Sequence, residues 1–234
     1  MKKYSHKIHS FLTEGRQKEE DDSLDPKGLP RTPPESPKSY ERMPKVHLPA
    51  PIALDVPLQK AITNRRSTTT SNTEPLPIEN LSTLLHTLSC NEDGFRGHPS
   101  GGAKYPIETY LVVQNVNGLD NGVYHYNPKG HILENMWGLP EEIKIFPRFN
   151  GWANSARVTI VFTSLWHKSE DKYGRASYIL SLLECGHAAQ NILLTASALN
   201  LPACPIVGTR DKFLAELLDL NTELEQPVYA IALG

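Results

Sequence analysis

Cysteine is scarce: three residues, Cys90, Cys185 and Cys204, are spread over 234 positions. So few, so far apart and odd in number, they exclude a disulfide framework and suit free thiols in a reducing cytoplasm. Charge of one sign is lacking too. Lys and Arg number 24 against 26 Asp and Glu, a net charge of −2, which leaves no electrostatic footprint for nucleic acid or an anionic membrane. No apolar segment follows the basic start MKKYSHK, so no secretory signal is read. The longest apolar run is interrupted by Glu184, His187, Gln190 and Asn191, each costly in lipid, and does not read as a membrane span. The motifs GxxxxGK[ST] and GxGxxG are absent, as is the nucleophile elbow GxSxG. Cys185 and His187 form a C-x-H within one helix, with no second cysteine pair at ligand spacing, so no metal site is expected.

Hydrophobic residues make up 39%, and the deficit is local. Residues 1–54 form a polar extension with charge runs and many prolines, which cannot bury a core alone. Order is expected from Asp55, where Asp55-Val56-Pro57 offers a carboxylate cap and a first-turn proline to a helix reaching Asn64. A second helix covers 78–88, with leucines at helical spacing. Strands are predicted over 108–114, 122–126, 131–135, 157–163 and 227–233, with the turn Asn127-Pro128-Lys129-Gly130 joining two of them. A short segment covers 203–207 and a helix 211–218. The chain is organised around YILSLLECGHAAQNILLTASAL, residues 178–199. Being apolar on nearly every side, this stretch predicts a buried central helix. Its small residues Gly186, Ala188 and Ala189 would admit another backbone, a second subunit's helix among the candidates. Helices and strands alternate without a regular βαβ period, which gives α+β with a largely antiparallel sheet over a single domain, 55–234.

Four stretches can carry chemistry. Asn64-Arg65-Arg66-Ser67-Thr68-Thr69 joins two guanidiniums to a run of hydroxyls, a set that holds phosphate, although an Arg pair at a helix end also suits the helix dipole. Pro99-Ser100-Gly101-Gly102 allows backbone to approach a flat ligand; it also reads as a tight connection. Lys172 and Tyr173 are adjacent and can move a proton, or lie in an exposed loop. Pro205-Ile206-Val207-Gly208 is stiff and offers backbone N–H groups, or is an ordinary edge strand.

Taken in order, RRS, PSGGAKYP, GVYHYNPKGHILE, KYG, LLECGHAAQNILLTASALNLPACPIVG and PVYAIALG resemble the SagB-type dehydrogenases of the nitroreductase superfamily over residues 40–234. The resemblance implies a nitroreductase-like fold and a homodimer with two FMN sites in the subunit interface. Arg65, Arg66 and Ser67 match the phosphate-binding RRS, with Thr69 just after it. Pro99, Ser100, Gly101 and Gly102 match the loop that approaches the flavin, usually from the partner subunit. Pro205, Ile206, Val207 and Gly208 match the segment beside flavin N5. Lys172 and Tyr173 look like the acid/base pair of the azoline oxidases that work with cyclodehydratases. The implied reaction is dehydrogenation of a thiazoline or oxazoline ring in a peptide or related natural product. An NAD(P)H-dependent nitro or quinone reductase and a flavin-free scaffold subunit of a biosynthetic complex are the alternatives. Lys104 and Lys212 are candidates for extra positive charge at the phosphate.

Overall fold

The structure is a computed structural model that describes residues 4–13, 34–70 and 73–234. Its frame is a seven-stranded sheet in the order β1-β6-β5-β3-β7-β9-β8. The strands are β1 (Lys45–His47), β3 (Ile107–Val113), β5 (Gly122–Asn127), β6 (Ile132–Trp137), β7 (Val158–Leu165), β8 (Ala203–Ile206) and β9 (Glu225–Leu233). Every neighbouring pair is antiparallel, as the α+β reading expected. A separate parallel pair joins β2 (Leu76–Pro77) to β4 (Val116–Asn117). The helices are α1 (Tyr4–Thr13), α2 (Leu58–Asn64), α3 (Ile78–His86), α4 (His167–Tyr173), α5 (Ala176–Ala198) and α6 (Asp211–Leu217).

Strands β3 and β7 are buried at every position because both faces of the sheet are covered. Successive side chains point to opposite faces. Ile107, Leu111 and Val113 therefore join Ile160, Phe162 and the buried side of α3 and α5, while Tyr110, Val112 and Val161 join Phe146, Ala153 and Leu214. This two-sided cover is why an antiparallel strand such as IETYLVV shows no clean alternation of polar and apolar residues.

Three expectations need correction. Order begins before Asp55: β1 pairs with β6, and Lys38 reaches into the sheet to bond Tyr110 Oη at 2.7 Å and Glu225 Oε2 at 2.7 Å. Helix α2 is preceded by Pro57 at its N-cap with no side-chain cap, so Asp55 does not perform that role. The central helix is not buried all round. Ser181, Glu184, Cys185, Ala188, Ala189 and Ile192 face inward, while Tyr178, Leu182, Leu183, Gly186, His187 and Gln190 form an exposed stripe.

A buried polar cluster lies inside the sheet. Glu108 accepts from Lys168 Nζ at 2.9 Å and lies 3.3 Å from His125 Nε2, whose Nδ1 is 2.8 Å from Glu134. Burial pushes Glu108 up, but His125, Lys168 and Arg96 outweigh it and hold it down at about 2. Burial opposes a charge on His125, and hydrogen bonds to Glu108 and Glu134 overcome that and raise it. His131 is the opposite case: burial, helped by His86, lowers it to about 4. The raised His125 contributes stability in full below its unfolded value of about 6.5, and that contribution is lost as pH rises through its folded value. The lowered His131 contributes above about 6.5, and that is lost as pH falls towards its folded value. Stability is expected to peak near pH 6.5. Urea midpoints measured from pH 4 to 9 check this. His131→Asn, which tolerates the residue's φ of 50°, should flatten the acid side alone.

Candidate functional site

The 64–69 stretch and the pairing of the glycine loop with Lys172 and Tyr173 lie at opposite ends of α5, and the 205–208 segment continues the strand to which the first is tied. The first forms where α2 ends. Arg65 leaves the helix in an extended conformation, its N–H still bonded to Ala61 O. Arg66 Nη1 donates to Thr63 O at 2.9 Å and to Arg65 O at 2.8 Å, laying the guanidinium over the helix's carbonyl end, where a cation is favoured by the helix dipole. Thr68 N donates to Ala203 O at 3.0 Å and so ties this segment to β8. Between them lies a surface pocket of about 260 Å3 bordered by Asn64, Arg66, Thr68, Ser197, Pro202 and Ala203. Ser67 and Thr69 are exposed on the outside of the segment. Asn64 and Thr68 belong to the stretch that the sequence marks together with the arginines, whereas nothing in spacing points to Ser197, which arrives from the far end of α5.

Beyond Ala203, Pro205 and Ile206 continue β8 against Ile231 and Ala230. Val207 then turns outward, 73% exposed. Thr209 N bonds back to Val207 O, closing a tight turn at Gly208. A Cβ on Gly208 would lie 3.2 Å from the Phe149 ring. Phe149, itself 75% exposed, is a neighbour that no motif announced.

The second group combines the glycine loop with the end of α4. The loop is a short 3-10 turn, Gly101–Ala103, in which Gly102, Ala103 and then Tyr105 have φ of 61°, 54° and 46°. Tyr105 N donates to Ser100 Oγ at 2.8 Å, closing it at the base. Pro99 is exposed and Ser100 half-buried. Lys172 and Tyr173 lie on α4, not in a loop, and Gly174 ends that helix with φ 49°. A Cβ on Gly102 would lie 2.6 Å from Tyr173 Oη and 3.1 Å from Lys172 Nζ. Only a residue without a side chain lets backbone meet the phenol and the ammonium together. Gly102→Ala is therefore expected to cost about 1–2 kcal/mol through left-handed strain and to push the phenol aside. Thermal unfolding beside Gly138→Ala, where nothing lies within 4 Å, checks it.

Of the two lysines considered for extra charge, Lys104 is occupied by Glu35 at 2.6 Å, and Lys212 is an open surface residue 3.9 Å from Glu216. Among the described residues no group of three or more His, Cys, Asp or Glu can hold a metal, and no helix is long and apolar enough to cross a membrane.

Leu180 packs against Gly101 near the start of α5, while Ser197 Oγ bonds Ala61 O near its end. At about 1.5 Å per residue these points are roughly 25 Å apart. Within one copy of the chain the two groups therefore do not meet.

The nitroreductase family profile matches residues 62–234. The protein MJ1384 of Methanocaldococcus jannaschii is 28% identical over 186 residues, 77% of this chain and 91% of that one. The microcin B17-processing protein McbC of Escherichia coli is 29% identical over 156 residues, 62% of this chain and 57% of McbC. A nitroreductase-type crystal structure from Anabaena variabilis superposes with a TM-score of 0.70 at 27% identity, over 82% of this chain and 41% of that one. A nitroreductase-type structure from Desulfovibrio desulfuricans, solved in complex with FMN, gives a TM-score of 0.53 at 20% identity over 77% and 86%. With most of its length matched by the profile and the fold in agreement, the chain belongs to the nitroreductase family of oxidoreductases.

Proposed function

We propose that two copies of this chain build a pair of FMN sites and dehydrogenate azoline rings to azoles. The observation that carries this reading is the close approach of Gly102 to Lys172 and Tyr173 at one end of α5, with Arg66 and the start of β8 at the other. The exposed stripe Tyr178, Leu182, Leu183, Gly186, His187 and Gln190 lies between the two half-sites. Two α5 helices packed antiparallel about Gly186, where nothing lies within 4 Å, would bring the arginine end of one copy to the glycine-loop end of its partner. The dimer would also cover Leu182 and Leu183, which are costly to leave in water.

The residues present fit the cofactor. Arg65, Arg66, Ser67 and Thr69 offer guanidinium and hydroxyl donors suited to a phosphate. Backbone N–H groups of Pro205–Gly208 neighbours, those of Ile206, Val207 and Gly208, would face the flavin ring, and the backbone of Pro99, Ser100, Gly101 and Gly102 would close on it. When bound, FMN supplies the two-electron acceptor that ring oxidation requires. Lys172 and Tyr173 would take the proton from the ring carbon, one as the base and one as its orienting partner. McbC's role in microcin B17 processing supports a peptide substrate, and work beside a ring-forming cyclodehydratase is part of the same proposal.

The test is to supply purified protein with an azoline-containing peptide. A loss of about 2 Da per ring is expected, the mass of two hydrogens; no loss would end the assignment. The family's name and MJ1384 favour a second reading, NAD(P)H-dependent reduction of nitro compounds or quinones. Bleaching of the flavin by NAD(P)H without any peptide would select it.

A further inference from the structure

Two titratable side chains outside the proposed reaction are buried beside the glycine loop. His98 immediately precedes Pro99, and Glu184 lies on the inward face of α5. Both side chains are 2% exposed, and His98 Nε2 is 3.7 Å from Glu184 Oε1. Neither ring nitrogen of His98 has a hydrogen-bond partner, nor has Glu184 Oε1, and Ser181 Oγ one turn earlier is likewise buried and unpartnered. Such a set is expensive to bury, and apolar residues of similar volume are often equally stable.

The pair's position supplies a reason for it. His98 and Tyr105 are the two ends of the glycine loop, and their rings meet edge to face at 5.7 Å. Arg96 braces Tyr105 from the other side, its guanidinium 5.0 Å from the ring centroid and its backbone N–H bonded to Tyr105 Oη. At Gly102, Ala103 and Tyr105 itself the backbone takes left-handed conformations, which persist only where the surroundings over-determine them. Glu184 is the charged group joining the loop's base to α5, and Leu180, one turn earlier, touches the loop at Gly101.

We infer that His98 and Glu184 form a buried positioning pair that holds the 100–102 loop at a fixed height on α5, and so sets the backbone surface that meets the flavin and Tyr173. The inference rests on reading that loop as flavin-facing. The pair touches neither substrate nor reacting atoms; it acts through the loop.

The test uses the full chain with Glu184→Gln, which keeps shape and removes charge. Hydrogen exchange of amides 101–104 in the flavin-free protein should accelerate about tenfold, and the FMN dissociation constant should rise about tenfold, with β3 and β7 amides unchanged. His98→Asn should produce the same two changes, and the double variant should add less than about twofold, as for two residues acting as one unit. A Glu184→Gln protein that melts earlier but keeps loop exchange and FMN affinity within about twofold of the parent would overturn the inference. Should that variant not fold, His98→Asn decides by the same readouts. A parent chain without FMN affinity would instead refute the proposed function, while loop exchange would still test the pair.

Discussion

Glu108→Ala will cost about 3–5 kcal/mol of folding stability, the usual result of stranding buried partners. The carboxylate is 1% exposed and is shared by Lys168 and His125, themselves deeply buried. It also accepts the Lys38 backbone N–H at 3.3 Å. Three carboxylates, Glu108, Glu134 and Glu225, face Lys38, Lys168 and a protonated His125, so removing one leaves an uncompensated cation in a dry interior. Urea unfolding at pH 6.5 measures the loss. Glu142→Ala, which removes an exposed partner of Lys144, should change stability by less than about 0.5 kcal/mol. A Glu108→Ala cost below about 1 kcal/mol would show that the cluster is hydrated and not a buried ion network. Lys168 stands one turn before Lys172 on α4, so this cluster also anchors the helix that carries the proposed proton-transfer pair.

If the chain performs the proposed azoline oxidation, Lys172→Ala and Tyr173→Phe will each lower it by about 10²–10⁴-fold, the usual worth of a positioned acid or base. Both should keep FMN content, because neither residue lies in the arginine group at the other end of α5. The rate of ring oxidation under saturating peptide, set against flavin absorbance per chain, separates the two effects. Unchanged rates in both variants would remove this pair from the chemistry.

The regular elements were legible where side-chain period and burial agree. The central helix, the 211–218 helix and the strands of the sheet lie within a few residues of their predicted bounds, because apolar spacing records which face is covered. The strand at 45–47 was not, since three residues carry no period. Nor was Lys38, whose burial depends on Glu225 almost the whole chain away. Helix α4 was missed because HKSEDKY has no apolar stripe; it is held by Trp166 stacked on Tyr178 and by Lys168 on Glu108. Motif order picked out the stretches proposed for the site, and the glycine loop approaches Lys172 and Tyr173. Sequence spacing could not show that the arginines lie at the other end of α5, because that distance is set by the helix and not by the motifs.

The proposed composite site is tested most directly by native mass and visible absorbance on one purified sample. Two chains carrying two FMN molecules, with Leu183→Glu giving a single chain without flavin, is the expected result. A single chain that binds FMN, or a dimer that persists without flavin affinity after FMN is added, would contradict it.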